Sequence, residues 1–287
     1  MDINWYPGHM AKTKRLLAEN LKISDIVIEL LDARVPFSSQ NPDFKNLFNN
    51  KKRVKAFNKA DLADERISME WQSYYESKGI PCIFINSRNG AGFKKLLSSI
   101  EENLEEKFAR DASRGIRRRP IHAMVVGIPN VGKSTFINTL AGKAAARTGD
   151  RPGVTRDKQW IKINSKIHLL DTPGILWPKL GDRQIGLNLA LTGAIKDEIM
   201  DVGELAVSLI DFLSFNYRSA LRERYGISSD IISAHEILEA ICLKRGFLSD
   251  GGNPDVLRAA ETLLDEFRGG LLGRITLEVP PAEQNIV

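Results

Sequence analysis

Gly127-Ile-Pro-Asn-Val-Gly-Lys-Ser134 is the stretch on which the reading of this chain turns: a G-x-x-x-x-G-K-S pattern. The apolar run Ile121 to Val126 precedes it, and a helix-like run, Thr135 to Leu140, follows. Strand, glycine loop and helix form the context in which this pattern cradles phosphate. Gly127 and Gly132 allow backbone angles and close approaches that a Cβ would block, so successive N–H groups can converge on phosphate oxygens. The candidate phosphate-binding residues are therefore Asn130, Val131, Gly132, Lys133, Ser134 and Thr135. Lys133 brings a point charge to the outer phosphates and is a candidate catalytic residue. Ser134 offers a hydroxyl to a phosphate-bound Mg²⁺, and the helix behind it directs its positive end at the anion. Chance supplies such a match in roughly one chain of this length in a hundred, so a simple connecting turn is the weaker reading.

The 287 residues suffice for a full core and a second, smaller domain. With 43% hydrophobic and 27% charged residues the composition is that of a soluble globular protein. Its two cysteines, Cys82 and Cys242, each lie inside an apolar run, which excludes a disulfide framework and a four-ligand zinc site. No stretch reaches the roughly 20 apolar residues of a membrane span, and Met1 opens onto Asp2 and Trp-Tyr-Pro rather than a basic-then-apolar leader. A cytoplasmic location with no membrane partner is expected. The net charge of +5 is unevenly spread. Residues 190–287 carry nine Lys and Arg against sixteen Asp and Glu, a net of −7; the remaining 32 and 20 give residues 1–189 a net of +12. Lys12, Lys14, Arg15, Lys51 to Arg53 and Arg114 to Arg119 supply much of this excess, which points to a polyanionic partner larger than a nucleotide. Any single cluster is equally a solvated face.

In chain order, the turn Trp5-Tyr-Pro-Gly-His9 leads into a basic helix from Met10. Asp25 to Asp32 is a buried strand ending in Asp32-Ala-Arg34-Val-Pro36, and Asn41-Pro42 can open a helix. Arg53 to Phe57 is a second strand and runs straight into Asn58-Lys-Ala-Asp61. A carboxylate at Asp61 can accept from both N1–H and the exocyclic amine of guanine, an edge that adenine lacks. Lys59 can lie over the base and Asn58 can brace the loop; a helix start is the alternative for Asn58 and Asp61. The tetrapeptide is weak alone and strong beside a phosphate loop. Trp71 to Lys78 reads as helix and Pro81 to Ile85 as strand, ending in Asn86-Ser87-Arg88-Asn-Gly90, where Asn86 and Ser87 can face the base or form a plain surface turn. Phe93 to Phe108 has the apolar spacing of one helix face, and the basic, glycine-interrupted Asp111 to Pro120 reads as a linker.

Beyond the phosphate loop, Gly142 to Thr155 reads as a functional loop whose Thr155 hydroxyl is a candidate second Mg²⁺ ligand. The expected hairpin Gln159–Ile163 and Lys166–Leu170 leads into Asp171-Thr-Pro-Gly174. There Asp171 can hold the metal's water shell and the Gly174 N–H can sense the γ-phosphate. From Asp182 onward helical periodicity replaces strands: Ser233 with Glu236 forms a capping box, and Gly226 and Gly246 sit where C-terminal caps belong.

Gly127–Ser134, Asp171–Gly174 and Asn58–Asp61 resemble the motif set of the Ras-like GTPases, except that the guanine motif comes first here instead of last. The chain is therefore similar to circularly permuted GTPases, in which joining the old termini and reopening the chain elsewhere preserves the site. With Trp5 to Met10, Asp32 to Pro36 and Pro152 to Thr155 added, it resembles the ribosome biogenesis GTPase A family over nearly its whole length. That resemblance implies a permuted, doubly wound α/β GTPase domain over roughly residues 1–178 and a small all-α domain over 179–287. It also implies Mg²⁺-dependent GTP hydrolysis, late assembly of the large ribosomal subunit, the precursor particle and its ribosomal RNA as partners, and a free protein that is monomeric.

Ras-like enzymes place a water-orienting Gln directly after D-x-x-G, and this chain has Ile175-Leu176-Trp177. A hydrocarbon cannot orient water. The resemblance assigns that task to His9, and it makes Asn130 a K⁺ ligand as well as a phosphate-loop residue. Two other readings stand beside the assembly GTPase: a GTP-binding scaffold with vestigial hydrolysis, and a GTPase acting on another RNA.

Overall fold

A computed structural model describes residues 7–48, 51–142, 160–174, 176, 182–195, 201–227, 233–249 and 251–281, with the side chains of 7–14 and 45–46 outside that description. Six strands form one sheet: β1 (Ile26–Asp32), β2 (Lys52–Asn58), β3 (Cys82–Phe84), β4 (Ile121–Val126), β5 (Trp160–Lys162) and β6 (Ile167–Asp171). Their spatial order is β3-β2-β1-β4-β6-β5. Every pairing is parallel except that of β5 with β6. All seven positions of β1 are buried, as a central strand covered on both faces requires. This is why its sequence is a nearly continuous apolar run.

The first unit also contains α1 (Pro7–Ile23), α2 (Asp43–Leu47), α3 (Glu65–Ser77), α4 (Phe93–Ser113) and α5 (Lys133–Ala141). Leu17 of α1 and Phe44 and Phe48 at α2 pack with Val27, Met124 and Val126 of the sheet. Tyr75 of α3 lies 5.5 Å from Phe57 of β2, and Phe93 of α4 meets Phe136 of α5 edge to face at 5.3 Å. The α4 helix runs on through Ser113, so the expected linker Asp111–Pro120 shrinks to residues 114–120. No residue before Gly115 breaks the helix, and charge alone does not.

After β1 the chain steps outward to β2 and β3; after β4 it steps the other way, to β6 and β5. The order therefore reverses between β1 and β4, and the crevice at their carboxyl ends is where open α/β sheets bind ligands. At their opposite ends, Asp25 fastens the same two strands. It accepts from the His122 N–H at 2.9 Å and from both terminal nitrogens of Arg119 at 2.7 Å, with Lys107 also bound. Burial raises its pKa, but these partners outweigh it and hold Asp25 at about 2, below the ordinary 3.8. A depressed carboxylate contributes stability that is complete above its unfolded pKa and is lost as pH falls through the folded one. Asp25→Asn is thus expected to cost about 2 kcal/mol at neutral pH and to flatten the loss of stability between about pH 4 and pH 2. Urea unfolding across that range tests it: an unchanged acid limb would show that Asp25 is not the group titrating.

Contacts divide the chain into two compact units, Met1–Gly181 with Glu278–Val287, and Asp182–Leu277. Residues 278–281 thus group with the sheet and not with the helices that precede them. The second unit comprises α6 (Arg183–Leu191), α7 (Val202–Asn216), α8 (Arg218–Tyr225), α9 (Ala234–Arg245) and α10 (Val256–Gly269). Ser233 and Glu236 form the capping box of α9, and Gly226 and Gly246 cap α8 and α9 in the left-handed region. Leu205, Leu209 and Leu213 share the buried face of α7. Glu266 is bound by Arg224, Tyr225 and Arg245, which joins α8, α9 and α10 through one carboxylate.

Candidate nucleotide-binding site

The phosphate loop leaves β4 and is turned by two left-handed residues, Asn130 (φ 55°) and Gly132 (φ 98°), before α5 begins at Lys133. A Cβ on Gly127 would lie 2.5 Å from the Leu30 carbonyl oxygen of β1, so only glycine lets the loop pass this close to the central strand. Lys133 arches back over its own loop. Its Nζ donates to the carbonyls of Gly127 at 3.2 Å and Ile128 at 2.8 Å, and the residue is 9% exposed. Burial pushes its pKa down to about 8, with Asp171 pulling the other way. A cation held by two neutral oxygens in a desolvated pocket is a strong receptor for an anion.

Asp171 ends β6 in register with Val125. The hydroxyl of Thr172 donates to the Val125 carbonyl at 2.6 Å and fixes the start of the Asp171–Gly174 segment. Gly174 closes against the phosphate loop: a Cβ there would meet Lys133 Nζ at 2.8 Å and the backbone of Pro129 at 3.0 Å. Asp171 Oδ1 is buried without a hydrogen-bond partner, and burial raises the pKa of this carboxyl against the opposing charge of Lys133. An orphaned carboxylate oxygen at the end of β6 and the half-buried Ser134 hydroxyl in the first turn of α5 are the hard oxygen donors that suit Mg²⁺. Thr155, the other candidate ligand, lies outside the described residues.

On the base side, Asn58 ends β2 directly opposite Asp32 of β1. Its Nδ2 donates to the Val131 carbonyl at 2.8 Å and its Oδ1 accepts from the Ser87 N–H at 2.9 Å. One side chain therefore ties the phosphate loop to the 86–90 loop, and a Cβ on Gly132 would collide with it. Asn86 turns that loop, its side chain accepting from Arg88 N–H at 2.8 Å and its carbonyl from Gly90 N–H at 2.9 Å. Ser87 is 3% exposed, and its hydroxyl is the second orphaned polar group of the crevice.

Lys59 adopts a left-handed backbone (φ 60°) and pairs with Asp32 at 2.9 Å. Burial lowers its pKa, while Asp32 acts in the opposite sense. Arg34 grips the same carboxylate through Nε at 3.0 Å and a terminal nitrogen at 2.8 Å. The sequence alone assigns Asp32 and Arg34 no role; their one trace in it is a charged D-A-R end on a strand whose only other charge is Glu29. Helix α3 is capped by Asp64, whose side chain accepts from Arg66 and Ile67 N–H, so Asp61 is not spent on that cap. Thr135 is exposed on the first turn of α5. His9 falls within α1, but its side chain is not among those described.

The family described as 50S ribosome-binding GTPase matches residues 122–236. Ribosome biogenesis GTPase A of Bacillus cereus is 48% identical over 280 residues, covering 98% of this chain and 95% of its own. The chain belongs to the ribosome biogenesis GTPase A family. Two solved structures of YlqF from Thermotoga maritima, each 28% identical, share the fold. The GDP-bound form has a TM-score of 0.67 and covers 93% of this chain and 99% of its own. The GNP-bound form has a TM-score of 0.66 and covers 94% and 98%. As a member of this family the protein hydrolyses GTP, and the permuted motif order accounts for the sheet: strands β1 to β3, with the Asn58–Asp61 motif at the end of β2, precede β4 and its glycine loop in sequence and lie beside them in space. Among the described residues no helix is long and apolar enough to cross a membrane.

Proposed function

We propose that this GTPase is a cytoplasmic factor for late maturation of the large ribosomal subunit, which binds the precursor particle through its ribosomal RNA and hydrolyses Mg²⁺-GTP in response. The observation that carries this reading is a site well equipped for binding and poorly equipped for attack. Lys133, Ser134, Asp171 and Gly174 serve the phosphates and Mg²⁺, and Asn58, Lys59, Asp61, Asn86 and Ser87 serve the base. The position after Gly174, by contrast, is Ile175, followed by a buried Leu176. Hydrolysis then waits for a group brought from elsewhere, and the basic excess of the first 189 residues suits a partner built on phosphate. His9 is the residue we assign to the attacking water, Thr155 completes the Mg²⁺ shell, and Asn130 holds K⁺. The free protein is monomeric.

Single-turnover GTP hydrolysis with and without large-subunit precursors tests the reading. Precursors are expected to accelerate the wild type and to fail with His9→Ala, and rates in K⁺ should exceed those in Na⁺. No acceleration by any particle would make the protein a GTP-binding scaffold, and acceleration by a different RNA alone would move its site of action.

A further inference from the structure

The chain returns from the helical unit at Glu278, and the first residue back is bound at once. Its carboxylate accepts from Phe37 N–H at 2.7 Å, from Ser38 N–H at 3.0 and 3.1 Å, and from the Ser38 hydroxyl. Its carbonyl accepts from Nε1 of the fully buried Trp71 at 3.0 Å. An anion held by consecutive backbone N–H groups is a charge-assisted clamp, and what it clamps is the turn that follows β1. That turn is tightly wound: Val35 N–H reaches the Asp32 carbonyl at 3.0 Å, Ser39 N–H the Val35 carbonyl at 2.9 Å, and the Ser39 hydroxyl accepts from Asp32 N–H at 3.1 Å. Arg34, Ser38 and Ser39 are each 1% exposed, so the turn cannot shift without repacking. Its first residue, Asp32, holds Lys59.

We propose that Glu278 is a positioning residue for guanine binding: it fixes the Asp32–Ser39 turn, the turn fixes the Asp32 carboxylate, and that carboxylate holds Lys59 at the base. This rests on the reading that Lys59 lies over guanine. Lys59 occupies a left-handed backbone and ends a long, rotatable side chain, so its place over a base is set by whatever holds its Nζ. A parallel β1–β2 register supplies that anchor by aligning Asp32 with Asn58.

The test is the dissociation constant for GDP, measured on the full chain for wild type, Glu278→Ala, Lys59→Met and the double variant. Circular dichroism establishes folding of each. Glu278→Ala is expected to weaken GDP binding by about two- to tenfold, and the same substitution is expected to have almost no further effect once Lys59 is Met. Unchanged GDP affinity in folded Glu278→Ala, or an equal loss in both backgrounds, would overturn the proposal, since a general loosening of the fold ignores Lys59. If Glu278→Ala does not fold, the near-isosteric Glu278→Gln is read by the same two criteria. Lys59→Met binding GDP as wild type does would remove the underlying base assignment, a result separable from failure of the Glu278 link because it appears in the single variant.

Discussion

Lys133→Met is expected to lower the rate constant for GTP hydrolysis by about 10²- to 10³-fold without making the nucleotide-free protein less stable. The ammonium reaches across the phosphate loop, and its loss takes a full positive charge away from the developing charge on the transferred phosphoryl group. Stability moves the other way. Burial holds the lysine at a pKa of about 8 against an ordinary 10.5, a cost near neutrality of about 3 kcal/mol. Against this stand two hydrogen bonds to carbonyls, worth about 1 kcal/mol each. Methionine fills the space without the desolvation cost, so urea unfolding of the variant should show stability equal to wild type or greater by about 1 kcal/mol. A variant less stable by more than about 2 kcal/mol would mean that Lys133 holds the loop together and not only the phosphates.

Asp61→Asn is expected to change the base the enzyme accepts. Guanine presents two donors, N1–H and its exocyclic amine, and a carboxylate accepts both. Asparagine offers one acceptor and one donor, so the amine of guanine faces an N–H, while the carbonyl of xanthine at the same carbon finds a partner. Affinity for GTP should fall about 10²- to 10³-fold and XTP should become the better substrate in direct competition. The carboxylate is available for this because Asp64 caps α3. A variant that still prefers GTP would show that Asp61 does not read the base.

What could be read from the sequence was local. The phosphate loop, Asn58 to Asp61 and Asp171 to Gly174 each place their chemistry within a few residues at a strand end, so short motifs announce them. The run Asp25 to Asp32 reads as a buried strand because a central parallel strand has no polar face to show. What escaped was the chemistry made by register and by return of the chain. Asp32 meets Lys59 only because β1 and β2 align residue for residue, and Glu278 meets Phe37 and Ser38 from some 240 positions away. Neither distance leaves a period in the sequence. Asp111 to Ser113 reads as linker because it opens a basic, glycine-interrupted stretch, whereas a helix ends where its backbone conformation is broken, here at Gly115 (φ 74°).

The placing of β1 beside β4 also has a consequence for the chain's own synthesis. These two strands pair at the centre of the sheet, yet about 90 residues separate the end of β1 from the start of β4. At about 5–20 residues per second, the emerging polypeptide carries β1, apolar at five of its seven positions, for about 5–20 s before its second neighbour leaves the exit tunnel. In an unpermuted ordering the phosphate-binding strand would already be waiting. Rearranging the order of the motifs thus preserves the finished site while changing which strand presents the open central edge during synthesis: here it is β1 and not the strand that leads into the phosphate loop.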